Sequence, residues 1–266
     1  VKDGGLPPDS VVQDPETILA DSERVIGKWH DPSPGAMVRI ALAPCSPFSV
    51  SPELMRDTAA LARRHAVRLH THLAETRDEN DYCAKIYGQR PLDFLAAVDW
   101  LDGDVWLAHG IWFTDEEVAR LGAAGVGIAH CPSTNMRLGS GICRVRDLRA
   151  AGCPVGQPLD GSASHDSSNM LAELRQALLL HRVTAGAAGM TVNEVLEMAT
   201  LGGAACLGRD DVGAVEAGRA CDLAVYDLEA IGYDGADDPV AALLLCHPEP
   251  VRELVIGGKL VDPPGR

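Results

Sequence analysis

The chain has 266 residues, 46% of them hydrophobic and 23% charged, with a formal net charge of −15. That length and balance suit a folded unit of barrel size with a sizeable core. The acidity and the lack of a strongly basic stretch argue against an electrostatic nucleic-acid surface, and no apolar run approaches the roughly 20 residues needed to cross a bilayer.

Eight cysteines are scattered without a Cys-x-x-Cys pair. In a chain of this size they read as reduced thiols, which suits a cytoplasmic protein. Nothing resembles a signal peptide, although residue 1 is valine and the natural start can lie elsewhere.

In chain order, Val1 to Asp14 is rich in Gly, Pro and Asp and reads as loop. Pro15 to Trp29 reads as a helix with Ile18, Leu19, Val25 and Ile26 on its apolar side. Val38 to Ala43 is a short strand ending at Pro44. Ser51-Pro52-Glu53 opens a helix to about His65, with serine as cap and proline at the first helical position. Val67 to Leu73 is a strand, and Arg77 to Ala97 holds helical segments broken at Gly88 and Pro91. Val105 to Ala108 is a strand, and Thr114 with Glu117 has capping-box spacing at a helix start. Gly125 to Cys131 is a strand stopped by Pro132, Arg144 to Ala151 a helix, Pro154 to Leu159 a strand, and Ser168 to Arg182 a long amphipathic helix.

Five strands alternating with helices predict βαβ units and a parallel sheet. The polar residues cluster where these strands end, which is where a (β/α) barrel carries its chemistry. No glycine-rich dinucleotide loop is present, so an open nucleotide-binding sheet is less apt. Past about residue 203 the texture turns to short β segments, with a hairpin at Gly257-Gly258.

The residue pattern with most chemical content is Arg68-Leu69-His70-Thr71-His72-Leu73-Ala74-Glu75. Alternation puts Arg68, His70 and His72 on one face of the strand, the lumen face of a barrel. His72 at the strand end can offer a ring nitrogen to zinc, and Glu75 can move a proton over the same mouth. His109 and Asp160 follow other strands. Alone, each has a structural explanation, a core histidine and a turn aspartate; together at equivalent strand ends they point to a metal-activated water. His130 reads as a hydrogen-bonding pocket residue and Asp166 as a helix-capping one. Cys45 and Cys143 read as small buried groups. His30, His65, His181 and His247 have no chemical neighbours in sequence.

Several motifs taken in order resemble the amidohydrolase superfamily, in its cytosine/guanine deaminase and triazine hydrolase branch. They are His72-Leu73-Ala74-Glu75, Leu107-Ala108-His109-Gly110, His130-Cys131-Pro132-Ser133-Thr134-Asn135 with its continuation to Gly141, and Asp160-Gly161. The likeness also covers Lys2 to Pro8, Ala43 to Phe48 and Gly161 to Ser164. It implies a metal-dependent (β/α)8 TIM barrel with a small β-sandwich, of which this chain would be the C-terminal portion. Residues 1–203 would be the later βα units and 204–266 a sandwich segment.

The resemblance implies one Zn2+ or other divalent ion per site, with His72 and Asp160 as ligands. Asp160 would also take the proton of the attacking water, Glu75 would shuttle protons, and His109 would hydrogen-bond the attacking oxygen. Cys45 would stand where relatives contact substrate. The implied reaction is hydrolytic deamination of an oxidised purine, 8-oxoguanine to urate and ammonia. A triazine hydrolase with a chloride or alkylamine leaving group is the rival chemistry. The implied partner is a small-molecule purine or triazine, with no nucleic acid and no membrane; a homo-oligomer is compatible.

Two departures from that pattern stand out. Relatives carry a His-x-His on the first barrel strand, and none precedes residue 70 here. The first strands are therefore expected to be missing, and the 266 residues alone are expected to bind zinc weakly and to be inactive, or to be a non-catalytic remnant. In addition, Pro158 stands just before Asp160, where a proline would interrupt strand pairing and shift the aspartate.

Overall fold

Helix starts follow their caps. In the computed structural model, which describes residues 8–246 and 249–261, α1 (Pro15–Trp29) begins at Asp14, whose carboxylate accepts from the Thr17 N–H. Ser51 does the same for α2 (Pro52–Arg64), with Pro52 at the first helical position. Lys2 to Pro7 and His247 lie outside the described residues.

Five strands form one parallel sheet in chain order: β1 (Ala41–Leu42), β2 (Arg68–Leu73), β3 (Val105–His109), β4 (Gly127–Ala129) and β5 (Val155–Gly156). Between them run α2, α3 (Arg77–Tyr87), α4 (Pro91–Ala97), α5 (Asp115–Ala124), α6 (Pro132–Leu138) and α7 (Val145–Ala151). The alternation expected of β2 is present: Leu69, Thr71 and Leu73 are fully buried, while Arg68, His70 and His72 are half-buried on the other face. Leu69, Leu73, Leu107 and Ile128 pack with Met55, Phe94, Trp100 and Leu148 in one core. Each such side chain stabilises the fold by roughly 1.5–3 kcal/mol when fully buried.

β1 is shorter than the expected Val38–Ala43. The Val38 carbonyl accepts from Asp31 and the Ile40 N–H goes to His30 Nδ1, so this stretch bonds to its own preceding turn and not to the sheet. β4 is shorter than the expected Gly125–Cys131, ending at Ala129, and Pro132 opens α6, because proline is tolerated at a first helical position. Pro158 does not disturb the ladder. β5 stops at Gly156, whose carbonyl accepts from His130, and the Gln157 N–H already bonds to the Met198 carbonyl.

After β5 come α8 (Ser162–His165) and α9 (Met170–Ala185). The cap of α9 is Asn169, not Asp166; Asn169 Oδ1 accepts from Ala172 N–H at 3.0 Å. Asp166 instead ends α8 with a left-handed φ of 62° and pairs with Arg137. Next follow α10 (Val192–Glu197), a π-helical turn (Met198–Gly202) against β5 and α11 (Gly203–Cys206) against β4 and β5. A Cβ on Gly202 would overlap the Val155 carbonyl oxygen, so this close approach requires glycine. Arg68 Nε donates to the Cys206 carbonyl at 3.0 Å, fastening α11 to the start of β2.

The remaining segment holds β6 (Leu223–Val225), α12 (Pro239–Leu245), β7 (Glu253–Ile256) and β8 (Lys259–Val261). The three strands form a separate antiparallel sheet, and β7 turns into β8 through Gly257-Gly258, both with positive φ. Among the described residues no helix is long and apolar enough to cross a membrane.

Candidate active site

Three of the residues picked out from the sequence meet beyond the strand ends. His109 closes β3, Glu75 follows β2, and Asp160 follows β5. His109 Nε2 is 3.6 Å from Glu75 Oε2 and 4.0 Å from Asp160 Oδ2. His109 is buried, with a side chain 2% exposed, whereas the two carboxylates are about a quarter exposed, at 24% and 21%.

Backbone strain marks the same place. Among the described residues, five non-glycine residues have positive φ, and two of them are Ala74 (52°) and His109 (69°). Left-handed backbone outside glycine costs on the order of 1–3 kcal/mol and persists where surroundings enforce it. Here the Ala74 carbonyl accepts from both Ile111 and Trp112 N–H groups at 2.9 Å, tying the loop after β2 to the loop after β3.

Each histidine at this mouth has one nitrogen committed. His109 Nδ1 donates to Asn135 Oδ1 at 2.9 Å, which leaves Nε2 as the lone-pair nitrogen of the neutral ring. His72 Nδ1 donates to the Cys45 carbonyl at 2.7 Å. The two rings lie 5.4 Å apart between centroids. The Cys45 thiol, 4.0 Å from His72 Nδ1, and, against the cost of burial, the Cys45 carbonyl raise the His72 imidazole to about 9. His72 in turn holds the Cys45 thiol below its ordinary value. His70 is different: burial pushes it down to about 4, its Nδ1 meets the Trp106 carbonyl at 3.1 Å, and its ring stacks on Trp106.

Cys45 is exposed and not the small buried group its sequence context implies; Cys143 is buried as expected. Cys45 borders a cavity of about 640 Å³ that also involves Asp14, Ile18, Leu42 and Leu54. None of His72, Glu75, His109 and Asp160 lines it, so the converging polar atoms, and not the cavity, mark the chemistry.

Sequence reasoning missed Cys131. Its sulfur, His109 and Asp160 offer donor atoms that all lie within 4.8 Å of one another. Burial raises the Cys131 thiol well above its ordinary value, and Sγ lies 3.5 Å from the Ala129 carbonyl. The only available signal was its position, one residue past His130 at a strand end. His130 itself is fully buried, and its partner is His181 of α9 at 3.2 Å, so it belongs to the packing and not to the mouth. His165, Glu173 and Ser133 form a further buried cluster in which one carboxylate accepts from the Ser133 N–H and hydroxyl and from His165 Nε2.

A set of imidazole, carboxylate and sulfur donors at one point, with the histidines' other nitrogens bonded to fixed oxygens, is what a divalent ion such as zinc takes. The residues present therefore fit a metal.

The chain matches the amidohydrolase family over residues 4–261. The chain belongs to that family. Among amidohydrolase relatives, it is 55% identical over 263 residues to an 8-oxoguanine deaminase of Pseudomonas aeruginosa, covering 98% of this chain and 59% of that protein. It is 40% identical over 267 residues to an isoxanthopterin deaminase of an unknown prokaryotic organism, covering 93% and 55%. An atrazine chlorohydrolase of Arthrobacter aurescens, solved in complex with zinc, superposes with a TM-score of 0.93 at 36% identity, covering 97% of this chain and 57% of that one. The chain thus spans a little over half the length of these relatives.

Proposed function

We propose that this amidohydrolase carries the later-strand half of a metal-dependent deaminase site, and that the whole protein converts 8-oxoguanine and water to urate and ammonia. The observation that carries the reading is the approach of Glu75 and Asp160 to His109 Nε2, at 3.6 and 4.0 Å, beyond three parallel strand ends. The 55% identity to an 8-oxoguanine deaminase supports the choice of purine.

His72, through Nε2, and Asp160 hold the metal in this reading. A divalent ion bound there would supply acidity, bringing the pKa of the attacking water down to about 7. Asp160 takes that water's proton. Glu75 gives a proton to a ring nitrogen of the purine as the oxygen attacks the carbon bearing the amine; it then takes up the proton of the added hydroxyl and hands it to the departing nitrogen, so ammonia leaves neutral, and the proton held by Asp160 restores Glu75. His109 hydrogen-bonds the attacking oxygen and stabilises the charge developing on it. Cys45, exposed beside its cavity, touches the substrate. Residues 1–203 form the barrel part and 204–266 the sandwich part.

The test is ammonia release by the full-length, zinc-loaded protein over a panel of oxidised purines and triazines. Glu75→Gln is expected to lower the rate by about 100-fold or more with metal content intact; metal loss in that variant would assign Glu75 to the wrong role. The 36% identity to a chlorohydrolase favours a second reading with chloride as leaving group. Chloride release without ammonia would select it. The same assay on the 266 residues by themselves checks the expectation that they are inactive alone.

A further inference from the structure

Among the described residues, three helices open on Thr-x-x-Glu. In α5, Glu117 reaches back to the Thr114 N–H at 2.7 Å, and in α10 Glu194 reaches back to the Thr191 N–H at 2.7 Å. These are ordinary capping boxes, in which the third helical residue satisfies the cap's own amide. Glu79 occupies the same place in α3, and its N–H bonds to Thr76 Oγ1 at 3.3 Å. Its carboxylate, however, bypasses Thr76. Oε1 accepts from the Ala74 N–H at 2.9 Å and Oε2 from the Glu75 N–H at 3.1 Å.

That choice is expensive for a capping residue. Glu79 is 1% exposed. Burial pushes its carboxyl up to about 7, with the two N–H bonds working against the rise. What the carboxylate holds is the turn that presents Glu75. Ala74 sits at φ 52° and is itself buried, its N–H held by Glu79 and its carbonyl by Ile111 and Trp112 beside His109. The Ala74–Glu75 peptide is thus fastened on both sides, and the Glu75 side chain leaves it 3.6 Å from His109 Nε2.

We propose that Glu79 is a positioning residue for Glu75: by gripping the Ala74 and Glu75 amides it fixes the strained turn and so sets where the proton-transferring carboxylate stands. Glu79 acts in this reading through the two backbone amides and not as a group that takes part in the reaction. The inference rests on Glu75 being the proton shuttle, and its test separates the two.

The experiment uses the zinc-loaded full-length protein with Glu79→Ala, Glu79→Gln and Glu75→Gln. Glu79→Ala is expected to lower kcat for ammonia release by about 100-fold, the cost of misplacing a reacting group by about 1 Å, with zinc content unchanged and KM within about threefold. Amide hydrogen exchange at Ala74 and Glu75 is expected to speed up by at least about tenfold while Leu69, on the same strand, stays protected. Glu79→Gln keeps one acceptor and should recover about tenfold of the lost kcat. Unchanged exchange at Ala74 and Glu75 overturns the proposal, as does a loss of kcat that comes with loss of zinc and of Leu69 protection. If Glu79→Ala does not fold, Glu79→Gln decides: slower turnover with faster exchange at the two amides supports the inference, and wild-type behaviour in both overturns it. Full activity in Glu75→Gln removes the shuttle reading itself. A dead Glu75→Gln beside a fully active Glu79→Ala removes only the positioning role.

Discussion

His72 and His109 share one chemical device. Each gives its Nδ1–H to a fixed oxygen, the Cys45 carbonyl and Asn135 Oδ1 respectively, which leaves Nε2 as the nitrogen available to a ligand; at His72, held up to about 9, a metal ion would have to displace the Nε2 proton. Their surroundings differ. His109 Nε2 has both carboxylates within 4.0 Å, the setting for a group that steers a polar oxygen between them. In the full-length protein, replacing His72 by Asn is expected to drop zinc from about one ion per chain to a small fraction, read by atomic absorption on dialysed protein. His109→Asn and Cys131→Ser should both keep the ion, the first with turnover lost. Retention of zinc in His72→Asn, with loss in Cys131→Ser, would make His109, Cys131 and Asp160 the ligand set. Cys131 is the residue that sequence could not reveal here, because its relevance depends on where β3 and β5 end relative to β4.

At the scale of elements, what was legible in the sequence is what local chemistry decides. Caps and first-position prolines fixed the starts of α1, α2 and α5, and strict alternation fixed the two faces of β2. Glu75, His109 and Asp160 could be grouped because each follows a strand, and parallel strands bring their ends together. What stayed hidden depends on partners far along the chain: the π-helical turn against Gln157, the His130–His181 pair, and the use of Pro132 to open α6. Glu173 is the sharpest example. In sequence it is one polar residue on α9; in the fold its carboxylate joins α6 through Ser133 and α8 through His165. Those two helices follow His130-Cys131 and Asp160-Gly161, so Glu173 braces two loops of the mouth. Glu173→Ala leaves buried His165 Nε2 and two donors on half-buried Ser133 without this acceptor and should cost at least about 1–3 kcal/mol, the penalty of one buried unsatisfied group. Urea unfolding would measure it. A loss under about 1 kcal/mol would mean that α6 and α8 are held by their packing alone.

Across the whole molecule, two segments far apart in the chain, the turn at Gly35 and the stretch after α11, are drawn together by one carboxylate. Asp211 Oδ2 accepts from the Gly35 N–H at 2.6 Å, a contact spanning 176 positions, and both its oxygens accept from Arg209, which also reaches the Ala36 carbonyl. The Asp211 side chain is 8% exposed. Arg209 first, and then the Gly35 N–H, hold this carboxyl well below the usual carboxylate range. The sign of the linkage follows. A carboxyl with a lower pKa in the folded than in the unfolded state stabilises the fold fully above the unfolded value of about 3.9, and that stabilisation fades as pH falls towards the folded one. Asp211→Asn keeps the shape but removes the charge, so it should cost about 1–3 kcal/mol at pH 7, a fall of several degrees in Tm by calorimetry. The gap between variant and wild type should narrow below about pH 4, as the wild-type carboxyl loses its advantage over the amide. A gap that stays constant down to pH 3 would mean that Asp211 contributes through shape and hydrogen bonding and that its charge does not tie these two segments.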